Sequence, residues 1–268
     1  MDAERGGGVN PFDTIAPAYD DTFTHSRVGQ YQRAVVAEIM ARRFTPGMRV
    51  LEIGCGTGVD AVWLARRGVS VVAIDTAPAM VEVARRRVEA HGVQDRVDVR
   101  ERSVQQLDQE AFDGLFDGVF SNFGVLNCVP DLRSTGTVLA RLVKPGGFAV
   151  LCLMGPWCAW EIVAHLAQRH VRPAFRRLTR GGVEARVGTE TVHVVYPSSH
   201  SVAAAFAPSF RLMGITGVGV FIPPSYLEPI VDRFPRVFQT CWTLERAVNR
   251  RYPFNRLGDH YCLELRRT

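Results

Sequence analysis

The stretch Val50-Leu51-Glu52-Ile53-Gly54-Cys55-Gly56-Thr57-Gly58 decides how this chain is read. An apolar run ends in an acid, and three glycines then alternate with small residues. A helical pattern follows from Val59 through Arg67. The pattern predicts a buried strand, a tight turn and a helix. Alternating glycines let the backbone turn sharply and keep side chains out of a ligand's way. Free amides at the helix start favour polar or anionic groups. A nucleotide-like ligand is expected over this turn.

Two cofactor classes compete for it. A dinucleotide fingerprint needs Gly-x-Gly-x-x-Gly, but Val59 stands where its third glycine belongs. The string Glu52-Ile53-Gly54-Cys55-Gly56-Thr57-Gly58 instead resembles motif I of class I S-adenosylmethionine-dependent methyltransferases. Val69 to Asp75 reads as a second apolar strand ending in an acid, and Asp75 resembles the motif II acid of that family. An acid at the end of strand two borders the ligand crevice of such folds, where a carboxylate can accept from both ribose hydroxyls. Thr76 to Met80 opens the next helix, with Met80 placed like the family's adenine-packing residue. A third strand near Val97 to Arg100 leads to Ser103. The family commonly has an Asp there; Ser103 can accept without charge, beside the Val104 amide.

Phe116 to Asn127 resembles motif IV, with a strand ending at Ser121 and the following residues facing the methyl group. Val143-Lys144-Pro145-Gly146-Gly147 is the turn that delivers a fifth strand, Phe148 to Leu153, apolar on both faces as a central parallel strand should be. The resemblance implies an α/β fold with a doubly wound, seven-stranded, mainly parallel sheet (Rossmann-like) and an inserted cap after strand five. The expected division is an N-terminal helical arm over the active site at 1–45, an S-adenosylmethionine-binding core at 46–154 and the cap at 155–197. Residues 198–268 complete the sheet and carry a second helical insertion, expected to close the pocket's other side.

With 268 residues, 47% of them hydrophobic, the chain can bury a large core. No apolar run reaches the ~20 residues of a membrane span, and Met1 to Asn10 has no signal-peptide core. A cytoplasmic protein is expected. Six scattered cysteines include no Cys-x-x-Cys pair, so reduced thiols and no metal are expected. The net charge is +5, and Lys144 is the only lysine. Arg169, Arg172, Arg176, Arg177 and Arg180 share a segment with Trp160, Val163, Val171, Phe175 and Leu178 at helical spacing, interrupted at Pro173. This stretch is expected to be a surface helix packed by its apolar face, with weak membrane-surface contact as the sharper alternative. No nucleic-acid-binding module is recognisable.

The flanks should set substrate choice. Phe12-Asp13-Thr14-Ile15-Ala16-Pro17-Ala18-Tyr19-Asp20 resembles the N-terminal arm of quinone-type and other small-molecule methyltransferases. The resemblance places Tyr19 near the cofactor's methionine end. With Tyr19 go Glu52, Gly54, Cys55, Gly56, Gly58, Asp75, Thr76, Met80, Ser103, Val104 and Asn122 as cofactor-binding candidates. Candidates for orienting or deprotonating an acceptor are Asn122, Asn127, His25 and His193. The implied activity is methyl transfer from S-adenosylmethionine to a small or medium-sized aromatic, lipid-like or natural-product acceptor, by a monomer or homodimer. Two alternatives stand beside it: methylation of a protein side chain or RNA, and a non-catalytic binding protein of the same fold. Asn122-Phe123-Gly124-Val125 lacks the Asn/Asp-Pro-Pro-aromatic string often found in base-modifying relatives.

Overall fold

In the computed structural model, residues 10–109 and 112–268 are described. The first nine residues, most of the segment read above as lacking a leader, lie outside them. Three short helical turns, Pro11–Thr14, Ala16–Ala18 and Asp20–Thr24, precede helix α1 (Arg27–Arg43). Ser26 caps α1 by accepting from the Gly29 amide, satisfying a donor that the first turn leaves orphaned.

Strand and helix then alternate: β1 (Arg49–Ile53), α2 (Val59–Ala65), β2 (Ser70–Asp75), α3 (Pro78–Ala90), β3 (Val97–Glu101), β4 (Phe116–Ser121), α4 (Leu132–Leu142) and β5 (Val143–Met154). The cap follows as α5 (Ala159–Ala167), α6 (Val171–Ala174) and a hairpin of β6 (Val183–Val187) and β7 (Glu190–Val194). The chain closes with α7 (Ser199–Phe206), β8 (Phe210–Val218), α8 (Glu228–Arg233), α9 (Pro235–Val248) and β9 (His260–Arg267).

The main sheet has seven strands in the order β3-β2-β1-β4-β5-β9-β8. β9 runs antiparallel to both its neighbours, and the other pairings are parallel. Alternation sends Val50, Val71, Ala73 and Val150 into one core, with α1, α2 and α3. It sends Leu51, Val72, Ile74 and Leu151 into the other, with α4 and α7. Both faces are covered, which is why these strands read as continuous apolar runs. Strand order reverses between β1 and β4, and in such sheets the ligand crevice opens there, at the carboxyl ends of the strands.

Two expectations change. Helices α8 and α9 do not close the pocket, because they dock on α1 instead. Glu228 accepts from the Arg27 and Val28 amides, and the Tyr31 and Trp242 rings lie 5.2 Å apart. The arginine-rich segment also does not pack by its apolar face. Val163, Leu166, Val171, Phe175 and Leu178 are exposed, whereas Arg177 is buried. Its guanidinium is neutralised there by Glu161 and Asp259. No described helix is long and apolar enough to cross a membrane.

Candidate active site

The glycine turn leaves β1 with Gly54, Gly56 and Gly58 all at positive φ (71°, 51° and 78°). Side chains are disfavoured at such angles. A Cβ on Gly54 would fall 2.3 Å from Val125, so Gly54 admits the strand-four turn closely. A Cβ on Gly56 would meet nothing within 4 Å. Space above Gly56 is therefore open, as a ligand cradle requires.

Asp75 holds this turn in place. Its carboxylate accepts from the Gly56 amide at 2.8 Å and the Ala77 amide at 2.9 Å. Burial pushes its pKa up, and those amides oppose the shift. Glu52 lies deeper, 2% exposed, with one carboxylate oxygen buried and unpartnered. Burial, with Asp60 nearby, holds its carboxyl well above the usual range. A buried carboxylate oxygen without a donor is costly, and a cationic ligand group would satisfy it.

These groups meet in one cavity of about 630 Å³, a volume typical of small-molecule sites. Its wall includes Tyr19, Glu52, Gly54, Cys55, Gly56, Asp75, Thr76, Met80, Ser103, Val104 and Asn122. Four of the singled-out residues lie off that wall. Gly58 is the N-cap of α2, where a Cβ would fall 3.0 Å from that of Ala84. Asn127 is buried as a brace: its amide donates to the Met154 and Val195 carbonyls and accepts from the Met154 amide. Exposed His25 bonds Asp21 at 3.4 Å, outside the cavity. His193 sits on the outer face of the cap hairpin between Glu184 and the Gly181 carbonyl, which raise its pKa. Its neighbours Val192 and Val194 turn inward to the cavity instead.

The wall also holds groups that the sequence did not single out. Asp60 accepts from Asn122 Nδ2 at 2.8 Å and from Arg33 Nη1 at 2.9 Å. Arg33 lies over the Phe23 and Phe123 rings. Thr57 donates to Asp20, which also pairs with Arg87, so the N-terminal arm is tied to the glycine turn. The acid in the first turn of α2 is a legible helix-start signal; Arg33 gave none. The cap hairpin roofs the cavity with Ala185, Val187, Val192 and Val194.

Residues 50–147 match the family model described as a methyltransferase domain. A demethylmenaquinone methyltransferase of Clavibacter sepedonicus is 37% identical over 141 residues, 53% of this chain and 55% of that protein. A ubiquinone biosynthesis O-methyltransferase of Xanthomonas oryzae pv. oryzae is 42% identical over 111 residues, 41% of this chain and 44% of that one. The chain thus spans about half the length of the curated relatives it matches. Among solved structures, the [4+2]-cyclase SpnF superposes with a TM-score of 0.64 at 17% identity, covering 96% of this chain and 93% of that one. That likeness extends the shared fold beyond the matched residues to both flanks and carries no chemistry.

Proposed function

We propose that this chain transfers the methyl group of S-adenosylmethionine to a small or medium-sized acceptor with an aromatic or lipid-like body. The observation that carries the reading is the single cavity shared by the open Gly56 turn, Asp75 and the unpartnered Glu52 oxygen. The donor set suits the cofactor: Asp75 for the ribose hydroxyls, Glu52 for the methionine ammonium, and Met80 and Val104 as apolar surfaces for the adenine. When bound, the cofactor supplies an activated methyl group on sulfur.

The protein's own work is then alignment and exclusion of water. Holding a nucleophile in line can contribute ~7–11 kcal/mol in favourable cases. Asn122 is held by Asp60, which Arg33 neutralises in turn. The pair gives a fixed polar point at the end of β4, from which an acceptor hydroxyl or amine is oriented. Tyr19, on the N-terminal arm, and the cap hairpin close the cavity from outside. No histidine lines the cavity among the described residues, so the reading rests on orientation rather than on a histidine base.

Titration calorimetry with S-adenosylhomocysteine tests the reading. The wild type should bind, and Asp75→Ala should lose at least tenfold in affinity while circular dichroism shows it folded. Absent wild-type binding, or unchanged binding in folded Asp75→Ala, would overturn it.

The cap's outer face supports weak membrane-surface contact, because exposed Val163, Leu166, Val171 and Phe175 lie among Arg169, Arg172 and Arg180. All six cysteines are free, which suits the reducing cytoplasm. A monomer or homodimer meets every requirement of this chemistry.

A further inference from the structure

A second pocket, of about 410 Å³, opens between α1 and α9 over β8. Its charged residues are Glu38, Arg42, Arg246 and Arg250, and its buried polar ones are Thr216 and Asn249. Arg42 follows Arg33 of the cavity wall by nine residues on α1, a rise of about 13 Å. None of its residues lines the methyl-transfer cavity.

A buried carboxylate brings two of these arginines to one place. Glu264 of β9 is fully buried, and its Oε1 lies 3.7 Å from Arg42 Nη2 and 3.4 Å from Arg250 Nη2. Its other oxygen is taken by Arg43 Nε at 2.7 Å. Three guanidiniums thus share one carboxylate, while Arg246 pairs with Glu38 at 2.9 Å. Around the pocket, four cations face two anions. The Arg42 guanidinium makes no hydrogen bond among the described residues, and that of Arg250 makes one, at 3.4 Å. Guanidiniums with open N–H groups take phosphate oxygens readily.

Two neutral groups beside them are unsatisfied. Alternation turns Thr216 to the α1 side of the sheet, as it does Val218. Thr216 is 2% exposed, and its hydroxyl is buried without a partner. Asn249, 6% exposed, ends α9, where its carbonyl accepts from the Gly217 amide at 2.7 Å. Its side-chain amide has no partner among the described residues. Buried polar groups left without hydrogen bonds are costly, and each calls for a partner. A phosphate group supplies oxygens that accept from hydroxyl, amide and guanidinium alike, and its two charges match the local excess.

We infer that this pocket binds a phosphate group, borne by a small metabolite or a lipid head, between Arg42 and Arg250 and against Asn249. The site stands independently of the methyl-transfer reading.

Titration calorimetry with inorganic phosphate and with glycerol 3-phosphate tests it. The protein first receives S-adenosylhomocysteine, so that the glycine turn is not the site read. At least one probe should bind with a Kd of about 1 mM or tighter and raise Tm as its concentration rises. In the double variant Arg42→Gln/Arg250→Gln, Arg43 still pairs with Glu264. Asn249→Asp sets a carboxylate against the ligand. Both proteins should bind at least tenfold more weakly, while circular dichroism shows them folded and S-adenosylhomocysteine affinity stays within twofold of wild type. If neither soluble probe binds, flotation with phosphatidate vesicles reads the lipid source, and retention lost in the double variant supports the site. The inference is overturned if none of the three probes binds, or if binding survives both the double variant and Asn249→Asp. Should the wild type fail to bind S-adenosylhomocysteine, the methyl-transfer reading falls, and the same variants still decide the pocket.

Discussion

Adding one methyl group to either of two glycines, two positions apart, should produce opposite phenotypes. At Gly54 the new Cβ lies 2.3 Å from Val125 and φ is +71°. Left-handed backbone costs a non-glycine residue about 1–2 kcal/mol, and overpacking adds about 1–3 kcal/mol. Gly54→Ala should therefore lose about 2–5 kcal/mol of stability. At Gly56 the Cβ meets nothing within 4 Å and φ is +51°, so only the backbone cost of about 1–2 kcal/mol applies. For a chain of this size each kcal/mol moves Tm by about 2–4 °C. Gly56→Ala should melt only a few degrees low, yet its methyl stands where the ligand must approach, and S-adenosylhomocysteine affinity should fall at least tenfold. Gly54→Ala should melt lowest. Adding Val125→Ala should recover part of that loss, because the two side chains are in contact and their effects couple. Differential scanning calorimetry gives the first readout and titration calorimetry well below Tm the second. Equal melting losses for the two glycines, or wild-type affinity in Gly56→Ala, would refute the assignment of separate roles.

Glu52 makes binding pH-dependent. Its carboxyl is held well above the usual range, so below that raised pKa the free protein keeps the proton, while a cationic ligand group favours the ionised form. S-adenosylmethionine affinity should rise with pH through that pKa, with proton release on binding seen in buffers of different ionisation enthalpy. A pH-independent affinity, or one unaltered by Glu52→Gln, would contradict this. Arg177→Met leaves Asp259, and Glu161 in part, buried without their cation. Breaking a buried pair costs about 3–5 kcal/mol, so chemical denaturation should show a loss of that order; a loss below about 1 kcal/mol would show the cap to be anchored otherwise. Vesicles containing anionic lipid should retain the protein at low salt and release it at high salt, and Val163→Asp should weaken retention. Equal retention on neutral vesicles would count against cap contact.

What was legible in the sequence was what is contiguous in it. The strand ending at Ile53, the glycine turn, the acid at Asp75 and the end of β4 at Ser121 each declare themselves within about ten residues. The missed features are made by distant partners. Asn127 reads as a polar group near the methyl end, yet it braces Met154 and Val195, 27 and 68 residues away. Arg177 looks like one of five surface arginines until Asp259, 82 residues on, accepts from it. β6 went unread because Val183-Glu184-Ala185-Arg186-Val187 is short and half polar; pairing with β7 makes it a strand. Helices α8 and α9 were legible as helices, but their docking on α1 depends on Glu228 meeting amides about 200 residues away.

The central claim is methyl transfer to a small molecule, and label transfer tests it most directly. The protein should be incubated with methyl-labelled S-adenosylmethionine and a cell extract, then separated into small-molecule, protein and nucleic-acid fractions. The account predicts protein-dependent label in the small-molecule fraction, lost in Gly56→Ala. Label confined to polymer, or no transfer by protein that binds the cofactor, would contradict it.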